Sequence, residues 1–158
     1  MTNDKELFDS EVKSLLRDPR IRDLRKYSQH FGSNTLRHSL LVARASFNLA
    51  EKLGWKISEK ELARGALLHD FYLYSTKDKE MSAFRHGTTH PMRAIRNADP
   101  YFGLTDKEKD IIQGHMWPLT LFHRPHSKEA LLVCMADKQI ATMEMAKGAL
   151  NYFAEDEP

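Results

Sequence analysis

Apolar residues recur at helical spacing along nearly the whole chain. Steps of three and four place them on one face of a helix and leave the other face polar. Leu7, Val12, Leu15 and Leu16 predict a first amphipathic helix over residues 4–17, stopped by Asp18-Pro19. A short second helix fits Pro19 to Lys26, and His30-Phe31-Gly32-Ser33-Asn34 reads as a turn that includes a capping residue. A long helix then runs from Thr35 to Leu53 and stops at Gly54. Ser58-x-x-Glu61 predicts a capping box and a helix to about His69. Phe71 to Thr89 has no clean period and reads as a long surface loop rich in Tyr, Lys, Ser and His. Pro91 suits the first turn of a helix ending near Asn97. Thr105-x-x-Glu108 predicts a second capping box, with its helix reaching about His115. Trp117 to His126, broken by Pro118 and Pro125, is loop; Ser127 caps a last helix to about Tyr152, ahead of a fraying acidic tail. Segments with strand alternation are few. The expectation is an all-α single domain over residues 1–158, a bundle of about six or seven helices with its core at about 30–145.

Composition narrows the functional classes. The 41% apolar and 29% charged residues fit an ordinary folded chain and exclude collagen-like or wholly disordered readings. A net charge of +2, spread evenly, points away from nucleic acid. The single cysteine, Cys134, excludes an internal disulfide and cysteine-cluster zinc modules; it sits in an apolar stretch and reads as core. The longest clearly apolar run, Leu131 to Ala136, is six residues, too short for a membrane span. The first residues lack a signal-peptide core, so a cytoplasmic location is expected.

Six polar residues do not fit a plain amphipathic bundle. His38 shares a face with Leu41, Val42, Ala45 and Leu49; Asp137 shares one with Val133, Cys134, Ile140 and Ala141. His115 follows Ile111 and Ile112, and His69 follows Gly65 and Ala66, small residues that let another helix come close. Asp70 and His90 complete the set. Alone, each histidine is a hydrogen-bonded core residue, and Asp137 is an ion-pair partner for an arginine. Together they suggest another answer, because a buried carboxylate needs a partner, and a divalent metal with imidazole co-ligands is one.

The ordered set His38, His69-Asp70, Asp137 resembles the HD superfamily of metal-dependent phosphohydrolases. His90-Pro91-x-x-Ala94 and Gly114-His115-Met116-Trp117-Pro118 are similar to the further histidine elements of its two-metal subset, and Ala136-Asp137-Lys138 to the segment carrying the last ligand. The resemblance implies that His38, His69, Asp70 and Asp137 bind one metal. It also implies that Asp70 bridges to a second metal held by His90 and His115. Two divalent transition-metal ions follow as cofactors, Fe or Mn favoured by the resemblance and Zn or Ni compatible with the ligand types.

Two divalent ions, two carboxylates and a bridging hydroxide leave about one net positive charge, which favours an anionic phosphate. A metal-activated hydroxide would then hydrolyse a phosphomonoester, phosphodiester or phosphoanhydride bond in a nucleotide or other small phosphorylated metabolite. Asp70, His86 and Arg124 are the candidates for catalytic work. Arg124 stands out because guanidinium matches phosphate geometry, with Arg37, Lys77, Lys79, Arg85, His123, His126 and Lys128 as further basic residues. Phe71, Tyr72, Tyr74 and Trp117 could wall a base pocket or serve as packing. Phe71-Tyr72-Leu73-Tyr74 after Asp70, and the lack of a Gly-Tyr-Pro motif, depart from the cyclic-dinucleotide phosphodiesterases of the superfamily. The symmetrical dinucleoside-tetraphosphate hydrolases are the closer analogy. Two alternatives stay open: a mononuclear enzyme, and a non-catalytic metal- or nucleotide-binding module. A homo-oligomer also stays open. Since imidazoles bind metal only when neutral, metal retention is expected to fall below about pH 6.

Overall fold

The computed structural model describes residues 3–29, 32–71 and 83–155, and for Ala83, Phe84, His86 and 152–155 the backbone alone. Among these residues it is all-α, with no strand beyond an isolated bridge between Ser28 and Asn34. The helices are α1 (Lys5–Leu16), α2 (Pro19–Arg22), a 3-10 turn (Asp23–Lys26), α3 (Thr35–Leu53), α4 (Glu59–Leu68), α5 (Ala83–Phe102), α6 (Asp106–Gly114) and α7 (Lys128–Glu155). None is long and apolar enough to cross a membrane.

Local chemistry sets most boundaries. Asp4 and Asn34 cap α1 and α3 by accepting from the backbone N–H groups of Leu7 and Arg37. Gly54 ends α3 in the left-handed region, at φ 64°. The capping box at Thr105 and Glu108 forms in both directions. The one expected at Ser58 and Glu61 does not: Ser58 is the cap residue, but its side chain makes no capping bond. Its backbone N–H instead donates to Glu129 Oε1 of α7 at 2.7 Å. Tertiary contact supplies there what the local motif would have.

The fifth helix corrects the sequence reading most. Residues 83–89, expected in a surface loop, are its first two turns, so Pro91 lies inside the helix and not in its first turn. A proline there removes one backbone donation, a cost that packing offsets. Pro91, Ala94 and Ala98 are buried along one side. Gly87 lies so close to Leu119 that a Cβ would sit 2.8 Å from its Cδ2. The helix passes Asn97 and Pro100 to end before Gly103, at φ 57°. Smaller corrections concern faces. In α1, Phe8 is buried and Leu7 is 45% exposed; in α3, Leu41 points to solvent and Val42 inward.

Packing joins these helices around two apolar clusters. One gathers Phe8 of α1, Val42 and Phe47 of α3, Ala66 of α4, Ile111 of α6 and Val133 of α7. The other gathers Leu15, Ile21, Leu24, Leu68, Phe71 and Ile112 with α5. Helices α4 and α6 feed both clusters through adjacent residues, and they lie against each other at Gly65. A Cβ on Gly65 would be 2.6 Å from Ile111 Cδ1, so the small residue permits the close approach expected from sequence. Arg64 also ties these helices, with Nε donating to buried Glu108 at 2.6 Å and Nη2 to the Phe102 carbonyl. The C-terminal ends of α4 and α6 are thereby fixed side by side.

Candidate metal centre

Each of those ends carries a histidine as its cap residue, His69 after α4 and His115 after α6. Last-turn carbonyls of a helix lack partners within it. Here the rings supply them: His69 Nδ1–H donates to Ala66 O and His115 Nδ1–H to Ile112 O, each at 2.6 Å. That bond fixes both rings with Nε2 turned inward. Asp70 follows His69 directly. His38 enters from the first turns of α3, His90 from α5 beside Pro91, and Asp137 from α7. Every one of the six is buried, between 0% and 9% exposed.

The side chains converge as two groups sharing Asp70. The first holds His38, His69, Asp70 and Asp137; the second holds Asp70, His90 and His115; within each, one ligand atom per residue lies within 4.8 Å of the others. Asp137 Oδ1 is 2.9 Å from His38 Nε2 and 3.4 Å from His69 Nε2. The oxygens of Asp70 divide between the groups. Oδ2 is 3.2 Å from His69 Nε2 and 3.7 Å from His38 Nε2. Oδ1 is 3.2 Å from His90 Nε2 and 3.5 Å from His115 Nε2.

The donor set fits divalent cations. Among the described residues, His69 Nε2 and Asp70 Oδ1 are buried without a hydrogen-bond partner, although charged neighbours stand near both. A buried polar atom left so costs about 1–3 kcal/mol. His90 Nε2 and His115 Nε2 face each other at 2.8 Å, so a hydrogen bond between them needs a proton on one. Cations accepting these lone pairs would answer both features with nitrogen and oxygen donors suited to Fe, Mn, Zn or Ni.

The metal-free electrostatics point the same way. Burial disfavours a charged His38, but hydrogen bonds to Asp137 and Glu144 outweigh it and raise the ring to about 9. Burial likewise opposes the charge on His69, and the neighbouring Asp70 and Asp137 carboxylates lift it well above its ordinary value. Asp70 is held well below the usual carboxylate range: burial opposes this, and His69, His115 and His90 prevail. Asp137 is lowered against burial by His38 and His69. His115 is lowered, first by burial and then by the charges of His69 and His90. Protons on His38 and His69 thus do part of the charge balancing that a cation would do.

The other sequence candidates lie apart from the two ligand groups or outside the described residues. His86 stands one turn before His90 on α5, with its side chain outside the described residues, as are Tyr72, Tyr74, Lys77 and Lys79. Arg124 and His123 lie exposed on the loop between α6 and α7, in neither ligand group. His126 instead pairs with Asp110, which also accepts from Ser127 at the start of α7. Arg37, Arg85 and Lys128 are exposed. Phe71 is fully buried, edge-on to Phe102, and packs as core. Trp117 is 38% exposed. Cys134 is buried, as expected.

Three residues beside the ligands had no role assigned from the sequence. Glu144 Oε2 lies 2.9 Å from His38 Nδ1. Gln29 Nε2 donates to Asp70 Oδ2 at 2.7 Å. Lys138 Nζ donates to the His115 carbonyl at 3.0 Å. Glu144 left a trace in the sequence, seven residues after Asp137 and so on the same side of a helix. Gln29, far from Asp70 along the chain, left none.

A helical bundle that buries histidines and aspartates in two linked groups defines a metal-binding class, with its ligands drawn from separate helices. The chain belongs to the HD domain family, whose model matches residues 35–142; its members are in general metal-dependent phosphohydrolases. No curated protein and no solved structure matches the chain.

Proposed function

We propose that this chain is a two-metal phosphohydrolase acting on a nucleotide or another small phosphorylated metabolite. The observation that carries the reading is the division of Asp70, one oxygen in each ligand group. His38, His69, Asp70 and Asp137 would hold one cation, and Asp70, His90 and His115 the other. When bound, a cation pair supplies Lewis acidity, acidifying water near neutral pH and offsetting charge on phosphoryl oxygens. The chain's own part is to aim the donors. Backbone carbonyls lock His69 and His115, Gln29 holds one oxygen of Asp70, and the bundle keeps the centre from bulk water. With the carboxylates outnumbered by cation charge, the site attracts phosphate. Arg124 and His86, basic residues the sequence singles out, are proposed as substrate contacts.

The test is metal-loaded protein incubated with nucleotides, dinucleoside polyphosphates and sugar phosphates, with phosphate release and bound metal measured together. The expected outcome is about two equivalents per chain and turnover that a chelator removes. Asp70→Ala, which removes the shared ligand, should lower metal affinity and turnover by about 100-fold. Full loading without turnover on any of these substrates would overturn the enzymatic reading. A single equivalent in both wild type and His90→Ala would overturn the two-metal part.

A further inference from the structure

Glu144 lies on α7 two turns beyond Asp137 and is 9% exposed. A carboxylate so buried needs partners. Its Oε2 lies 2.9 Å from His38 Nδ1, and its Oε1 accepts from Ser33 Oγ at 2.8 Å. On the other side of the ring, His38 Nε2 faces Asp137 at 2.9 Å and Asp70 at 3.7 Å. Glu144 follows the residues that match the family, 35–142.

An imidazole donates to a metal only through the nitrogen that carries no proton, and the bond made by the other nitrogen decides which that is. His69 and His115 settle this with carbonyls at the ends of their own helices. His38 cannot, because it lies near the start of α3, where carbonyls are engaged in the helix. Its acceptor must come from another element, and α7 brings one. With Nδ1–H donating to Glu144, Nε2 is the nitrogen facing the aspartates and the one that can give up its proton to a metal.

We propose that Glu144 is a positioning residue of the metal centre, fixing His38 so that Nε2 faces Asp70 and Asp137. The proposal rests on the metal-binding reading above. Glu144 acts through His38 and touches no substrate.

The experiment titrates metal-stripped wild type, Glu144→Ala, Glu144→Gln and Ser33→Ala with Zn(II) against a chromophoric chelator. It also records the Co(II) absorption spectrum of each. Glu144→Ala should weaken one of the equivalents by about 10- to 100-fold and change the Co(II) bands. Glu144→Gln keeps an oxygen that can accept from Nδ1–H and should restore most of the affinity. Ser33→Ala removes a contact of Glu144 on the side away from His38 and should bind like wild type. If Glu144→Ala does not fold, Glu144→Asp, which draws the carboxylate back by one methylene, should show the same loss. Wild-type affinity and an unchanged Co(II) spectrum in the folded Ala or Asp variant would overturn the role of Glu144 while leaving the metal centre intact. A wild-type chain that binds neither ion would overturn the metal reading itself.

Discussion

Histidine orientation is the problem this site solves one residue at a time, and it does so with two kinds of acceptor. Helix-end carbonyls serve His69 and His115, while a carboxylate from another helix serves His38. The same carboxylates govern the pH response of the metal-stripped chain. His38 is raised to about 9 and His69 is also raised. The folded state therefore holds more protons than the unfolded state from the ordinary histidine value near 6.5 up to about 9. Their stabilisation is complete below that window and is lost as pH rises through it. Asp70 and Asp137 are lowered, so their contribution is present above the ordinary carboxylate value near 3.8 and fades as pH falls below it. Urea unfolding of stripped protein should show stability declining between about pH 6.5 and 9; a flat or rising profile there would contradict the arrangement. Metal must displace these protons, so proton competition begins near pH 9 for His38, well above the onset near 6 expected from unperturbed imidazoles. All six candidate ligands were legible as residues in the sequence, since each interrupts an apolar face or helix end. Their protonation was not, because it depends on neighbours up to 106 positions away.

At the scale of elements, the contact between α4 and α6 positions the centre. Gly65 permits it, and Arg64 with Glu108 holds it. Gly65→Ala should raise intrinsic helix propensity by about 1 kcal/mol. It must also push Ile111 aside, for which overpacking costs of about 1–3 kcal/mol are typical. The expected net result is a destabilised protein with weakened metal binding, measured by urea denaturation and metal titration. A more stable variant with unchanged affinity would show that this approach is not needed. Boundaries governed by local chemistry were legible here: Asn34, Gly54 and the Thr105–Glu108 box all act as their residue types predict. The start of α5 was not. Pro91 and the polar residues before it argue locally for a start at Pro91, and close packing of Gly87 against Leu119 accompanies the earlier one.

For the molecule as a whole, four helices and the end of α4 must pack correctly before any cation can be held, so binding and folding are linked. Saturating metal at about 100 times its Kd should stabilise the fold by about 2.7 kcal/mol per independent site. Thermal melts with Zn(II) or Mn(II), and again after chelation, check this; a melting temperature indifferent to both treatments would contradict a resident metal. The periodicity of apolar residues determined the all-α class, because a 3.6-residue repeat can bury a face only as a helix. The order of histidines and aspartates determined which residues could carry chemistry. Tertiary structure alone decided that Asp70 offers one oxygen to each group, and that Glu144 and Gln29 stand behind the ligands. Such contacts join residues distant along the chain, and directional bonds between them exist only once the helices have packed.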